Sequence, residues 1–340
     1  MKRGLWLMIV CFSWVCQAKA APPKPLTGPV SLKAVTPPAV TATYPAAVFI
    51  AEIIKKVLPA GSSVLTIPVP GRGGIEMVGS EKADLYISTH TFMDMAALKG
   101  DSRVGYKQAY PGITAIAQLA DKDQLGVFQF VVTKETGLTS FDDIKKRKFP
   151  LKLATSLRAS IAEVSTSTVL EAYGVTYDDI KAWGGRVDHI GWREAVDAAK
   201  EGRINALGAN AQYPYPFFVE LGVSKPVNIL SMSDEMAAKL EKDLPGLERH
   251  TIPANDVKDY RGVDKDVHTV ATGFLVIVRS GLPDDLVYVL TKTIVENYKP
   301  IAEQYAGHKY FNPQTAVRHL SGFPMHPMAV QYYKDAGVLK

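Results

Sequence analysis

Apolar and polar positions along the chain follow two alternating periods. Short runs rich in β-branched and aliphatic residues occur at Leu32 to Val35, Val64 to Val69, Leu85 to Ser88, Thr114 to Leu119 and Val127 to Thr133. Between them apolar residues return every three or four positions. Ala47, Ile50, Ala51, Ile54 and Leu58 form one such stripe, predicting a helix with Thr43 as its N-cap and Pro45 in its first turn. A second series begins after the capping-box pattern Ser140-Phe141-Asp142-Asp143. It gives strands at Leu151 to Ala154, Val187 to Ile190 and Ile204 to Ala209. Its helices span Ser160 to Tyr173, stopped by Gly174, and Trp192 to Glu201, stopped by Gly202. His268 to Val278 reads as one long β-run and Pro283 to Tyr298 as a long helix. This β-loop-α rhythm predicts an α/β fold with parallel sheets and helical crossovers.

The first residues do not belong to that pattern. Lys2 and Arg3, the apolar Leu5 to Val15 and the small-x-small Ala18-Lys19-Ala20 make a secretory signal peptide over residues 1–20, with the mature chain starting near Ala21. Both cysteines, Cys11 and Cys16, fall inside it, so the mature chain has no thiol for a disulfide, a metal or a nucleophile. Removing Lys2, Arg3 and Lys19 lowers the 39 basic side chains almost to the 34 acidic ones, which gives no footprint for nucleic acid. No second long apolar stretch predicts a membrane span. The length of 340 residues exceeds what one core usually fills, so two domains are expected.

In open α/β sheets ligands sit where strand-to-helix loops converge. Five such loops are predicted: Pro37 to Thr43, Pro70 to Gly74, Thr89 to Phe92, Thr155 to Ser160 and Asn210 to Pro216. The second contains Gly71-Arg72-Gly73-Gly74, a phosphate-cradle arrangement without the matching spacing. Glu76 stands where a dinucleotide fingerprint needs its third glycine, and Ile75 follows Gly74 where a Walker loop needs lysine. An anion, not a nucleotide, is the expected guest. No cofactor is called for, and neither a His-Glu-x-x-His metal motif nor a Gly-x-Ser-x-Gly elbow is present.

The ending Phe323 to Gly337, "FPMHPMAVQYYKDAG", resembles that of the TAXI family of TRAP transporter solute-binding proteins, matching at His326-Pro327, Ala329 and Tyr332-Tyr333. "TYPAAVFIAEIIKK", "ADLYIS" and "TGFLVIVRSGLPDDLVYVLTKTIVEN" extend the resemblance over most of the mature chain. It implies a two-lobed, type II periplasmic-binding-protein-like α/β fold with a hinge and an interlobe cleft. Lobe 1 would comprise residues 21–132 and 250–340, and lobe 2 residues 133–249. The implied function is a periplasmic receptor, not an enzyme, that captures a small organic anion or amino acid and delivers it to a TRAP-type membrane permease. A sensor subunit or an exported enzyme using the same cleft are the alternatives.

The resemblance places Tyr44 and Pro45 at the first binding loop, Ser160 and Glu163 in the serine-glutamate motif, and Pro214 in the last cleft loop. Arg72 and Arg158 stand in cleft loops, where a guanidinium fork matches a carboxylate; the alternative is a solvated arginine or a pair with Glu76. Thr41, Thr43, Tyr44, Gly73 and Ser160 offer hydroxyl and N–H groups near helix starts, and His90 a ring nitrogen. Asn210 and Tyr213 supply amide and phenol tips in an aromatic loop. These ten residues are the expected ligand contacts, with His326 expected to serve architecture.

Overall fold

The computed structural model describes residues 23–120, 126–318 and 320–340. The expected signal peptide, with Lys2, Arg3, both cysteines and the cleavage site before Ala21, lies outside the described residues.

The first series runs β1 (Ser31–Thr36), α1 (Tyr44–Val57), β2 (Ser63–Pro68), α2 (Gly71–Gly79), β3 (Leu85–His90), α3 (Thr91–Lys99) and β4 (Ile113–Ala120). The second runs β5 (Val127–Thr133), α4 (Phe141–Lys146), β6 (Lys152–Thr155), α5 (Ile161–Ala172), α6 (Tyr177–Ala182), β7 (Arg186–His189), α7 (Trp192–Lys200) and β8 (Ala206–Ala211). It continues through α8 (Pro216–Ser224), β9 (Val227–Ile229), α9 (Asp234–Asp243), β10 (Glu248–Ile252) and β11 (Val267–Ala271). The chain then returns through β12 (Phe274–Arg279), α10 (Asp284–Glu296), α11 (Tyr298–Glu303) and α12 (Pro327–Asp335).

These strands form two mixed sheets, giving the expected two-lobed α/β architecture. One has the order β2-β1-β3-β12-β4, with β1 parallel to β2 and β3 and β12 antiparallel to its neighbours. The other has the order β10-β11-β5-β8-β6-β7, with β9 beside β5. Apolar faces set the layers. Leu32 and Ala34 of β1 face Ile50 and Ile54 of α1 and Leu290 of α10 in one core, while Val35 points to the opposite face with Ile75 and Tyr86. In the second sheet Val131 and Leu207 pack with Val196, Phe218 and Tyr260.

Three sequence expectations change here. His268 to Val278 is two strands in different sheets: β11 pairs with β5 and β10, then the chain crosses at Thr272-Gly273 and β12 pairs with β3 and β4. Since β5, β10 and β11 all belong to the second sheet, the strands change sheets between β4 and β5 and between β11 and β12, rather than at 132/133 and 249/250. Gly71 to Gly74 form the first turn of α2 and not a loop. A Cβ on Gly74 would stand 2.5 Å from the Tyr86 ring and 2.7 Å from Val35, so that glycine is there for close packing. The predicted caps at Ser140 and Ser160 are present, each accepting from the backbone N–H three residues on, whereas Thr43 makes no side-chain cap bond.

The TAXI-like ending is structural. His326 is the N-cap of α12, its Nδ1 accepting from Met328 N at 3.2 Å, and Tyr333 donates to Ile116 O on β4 at 3.0 Å.

Candidate functional site

The carboxyl ends of β1, β3, β6 and β8 face one another across the two sheets, and a cavity of about 70 Å³ lies between them. One wall carries Thr41, Thr43, Ser88 and His90; the facing wall carries Ser156, Ser160, Ile161 and Asn210. Trp192, Tyr215, Phe274 and Tyr305 supply aromatic surface. The lining holds no lysine, arginine, aspartate or glutamate among the described residues. Its volume is several times the ~10–15 Å³ that admits one water, which suits a small solute.

Of the expected contacts, Thr41, Thr43, His90, Ser160 and Asn210 meet in this lining, and Tyr44, Arg72, Gly73, Arg158 and Tyr213 stand outside it. Arg72 lies on α2 with its guanidinium against Gly105, and its N–H donates across the cleft to Ala159 O at 3.2 Å. Gly73 sits in the same turn, where a Cβ would approach Val69 to 3.2 Å. Arg158 is exposed, beside His189 and Tyr177. The Tyr213 hydroxyl pairs with His250 Nε2 at 2.9 Å, and Tyr44 is half-buried at the start of α1. Neither guanidinium lines this cavity.

The polar lining is built by local constraints. Ser160 Oγ accepts from Glu163 N at 3.3 Å, and Glu163 Oε2 accepts from Ala159 N at 3.0 Å, fixing Ala159 at φ +59°. Ser160 O takes Val164 N at 2.9 Å. The first four N–H groups of a helix have no partner within it, so those of Ile161 and Ala162, both in the lining, are the donors left at the positive end of α5. On the opposite wall Ser88 occupies the left-handed region at φ +73°, which a serine adopts only under constraint, and its buried hydroxyl has no partner among the described residues. His90 packs on Phe274 with ring centroids 4.2 Å apart. Burial pushes its imidazole down to about 3, so the ring is neutral at neutral pH, and Nε2 has no partner among the described residues. Asn210 Nδ2 donates to Gly126 O at 3.2 Å, and its buried Oδ1 has no partner among the described residues.

Several supporting residues carry no local signal in the sequence. Tyr305 follows α11 in the first lobe, lines the cavity, and donates its hydroxyl to Gln212 Oε1 of the second lobe. Behind the 211–215 segment, Gln129 Nε2 donates to Ala211 O and Gln212 O, each at 3.3 Å. Tyr260 donates to Gln129 Oε1 at 3.1 Å and accepts from Tyr215 N. These contacts span 45 to 131 residues of sequence, so periodicity could not find them. The Ser88 hydroxyl and His90 Nε2, both without a partner among the described residues, make no nucleophile-base pair with each other.

With that geometry in hand, residues 35–337 match the model of the NMT1-like family. A solved structure from Bordetella bronchiseptica aligns over 91% of this chain and 98% of its own at 13% identity, TM-score 0.51. PhnD1 from Prochlorococcus marinus, in complex with methylphosphonate, aligns over 83% and 89% at 15% identity, TM-score 0.49. A TRAP periplasmic solute binding protein from Pseudomonas aeruginosa with bound L-malate aligns over 92% of each chain at 14% identity, TM-score 0.43. At such identities the Bordetella likeness is one of fold.

Proposed function

The chain belongs to the NMT1-like family, and from that premise we propose that it is an extracytoplasmic solute receptor that captures a small organic anion in the interlobe cavity and hands it to a membrane permease. The observation carrying this reading is a cavity between two α/β lobes whose lining combines helix-start donors and aromatic walls with no paired catalytic groups. In this reading a carboxylate sits at the start of α5, receiving the Ile161 and Ala162 N–H groups, where the helix dipole favours negative charge without a cation. Trp192, Tyr215, Phe274 and Tyr305 then cover its apolar part. The signal peptide read in residues 1–20 supports a periplasmic location, and no helix among the described residues is long and apolar enough to cross a membrane. The TAXI-like ending supports a permease of TRAP type.

The test is a thermal-shift screen of the chain from Ala21 against amino acids, mono- and dicarboxylates and aromatic acids, each paired with its neutral amide, followed by calorimetry on the hits. A ligand at 100 times its Kd stabilises by about 2.7 kcal/mol. Reversible binding of an acid and not its amide is expected. Equal binding of both removes the anion, and consumption of the bound compound removes the receptor.

A further inference from the structure

Below His90, away from the cavity, stands a buried acid that the ligand site does not use. Asp94, in the first turn of α3, has no solvent exposure. Its Oδ2 accepts from the Thr89 hydroxyl, and its Oδ1 has no partner among the described residues. Thr89 lies between Ser88 and His90, which with Tyr86 are the β3 residues on the cavity wall. No loop separates β3 from α3, and the first N–H groups of the helix are spent on the hinge crossing: Thr91 N donates to Gly273 O at 3.0 Å and Phe92 N to Thr272 Oγ1 at 3.2 Å. The Asp94 to Thr89 bond is therefore a side-chain tie across this junction, anchored one residue after the β-bulge where Ser88 stands at φ +73°.

We propose that Asp94 is a neutral carboxylic acid in the folded protein and a positioning residue that, through Thr89, fixes the bulged end of β3 presenting Ser88 and His90 to the cavity. Around it stand the Tyr86 phenol of β3 and the Tyr106 phenol of the segment after α3, both buried. The Arg72 and Glu76 side chains of α2 act on Tyr106, and His90 precedes the helix. Among the described residues no lysine or arginine bonds to Asp94. An isolated charge in such surroundings takes up a proton rather than stay ionised; accordingly burial raises the carboxyl well above its ordinary range, with the Thr89 bond opposing. The consequence for ligand capture rests on the receptor reading, but the test needs no ligand, so failure of the screen and failure of this proposal are distinct.

The test compares ligand-free wild type, Asp94→Asn, Asp94→Ala and Thr89→Val. The first readout is the amide resonances of Ser88 and His90. Asn keeps the acceptor for Thr89 and leaves them in place; Ala and Val displace them. The second is the urea midpoint from pH 4 to pH 8. A folded carboxyl raised above its unfolded value of about 4 loses stability as pH rises through that value, so Asp94→Asn has the higher midpoint at pH 7 and the gap closes toward pH 4. Should Asp94→Ala not fold, Asn and Thr89→Val still decide the first readout. A wild type with the higher midpoint at pH 7, or resonances that Asn moves as far as Val does, overturns the proposal.

Discussion

Two buried imidazoles make the fold sensitive to mild acid, and the size of the effect follows from their burial. His90 and His308 are 8% and 0% exposed, and burial holds both down to about 3. Both ring nitrogens of His308 lack a partner among the described residues, and the ring meets Tyr305 edge-on at 5.2 Å. An unfolded histidine binds its proton near 6.5. The folded value lies below the unfolded one, so the stability these two rings contribute is full above about pH 6.5 and is lost as pH falls from there toward 3. At pH 5 the unfolded ring lies 1.5 units below its pKa, which at about 1.36 kcal/mol per unit costs about 2 kcal/mol for each histidine. The two together approach 4 kcal/mol, a large share of the ~5–15 kcal/mol that holds a typical domain folded. The assay is urea unfolding at pH 7 and pH 5 for wild type and His308→Leu. The packing cost of the substitution enters at both pH values and cancels in the difference, leaving a pH-linked loss about 2 kcal/mol smaller in the variant. Equal losses in the two proteins would refute the argument that His308 is neutral because it is buried.

Other perturbations test the cleft. Tyr305→Phe keeps the aromatic wall but removes the donor to Gln212; a lost bond of about 1 kcal/mol should weaken ligand binding about fivefold by calorimetry, and an unchanged Kd would deny the bond any part in holding the lobes together. Gly74→Ala drives a Cβ into the Tyr86 ring, whose hydroxyl is tied to Val69 O at 3.3 Å, and should cost roughly 1–3 kcal/mol in thermal unfolding; a wild-type Tm would show that the ring can yield. Arg158→Ala removes an exposed side chain outside the lining and should change affinity less than about twofold; a tenfold loss would return that guanidinium to the site.

What the sequence disclosed depended on how local each cause was. Strands such as Val127 to Thr133 and helices such as Trp192 onward were legible because burial imposes a period on neighbouring residues. The crossing at Thr272-Gly273 was not, because the residues on both sides are equally suited to strands and only their partners differ. Gly71 to Gly74 read as a loop because three glycines in four positions usually make one; the helix there packs Gly74 against Tyr86 and Val35, and Val35 is distant in sequence. The same distinction runs through the site. Ser160 and Asn210 were legible because Ser160 ends one strand-to-helix connection and Asn210 stands where another begins. The directions of Arg72 and Arg158 depend on neighbours such as Gly105 that no spacing specifies, and Tyr305 reaches the cavity from the far end of the chain.

One contact across the cleft is made entirely of main-chain atoms, the Arg72 N–H to the Ala159 carbonyl. A clasp of that kind is blind to side-chain identity: short of proline at position 72, substitution there leaves its donor in place. The residues that read the solute can therefore be exchanged while this fastening survives, which separates what the protein selects from how its two halves stay joined.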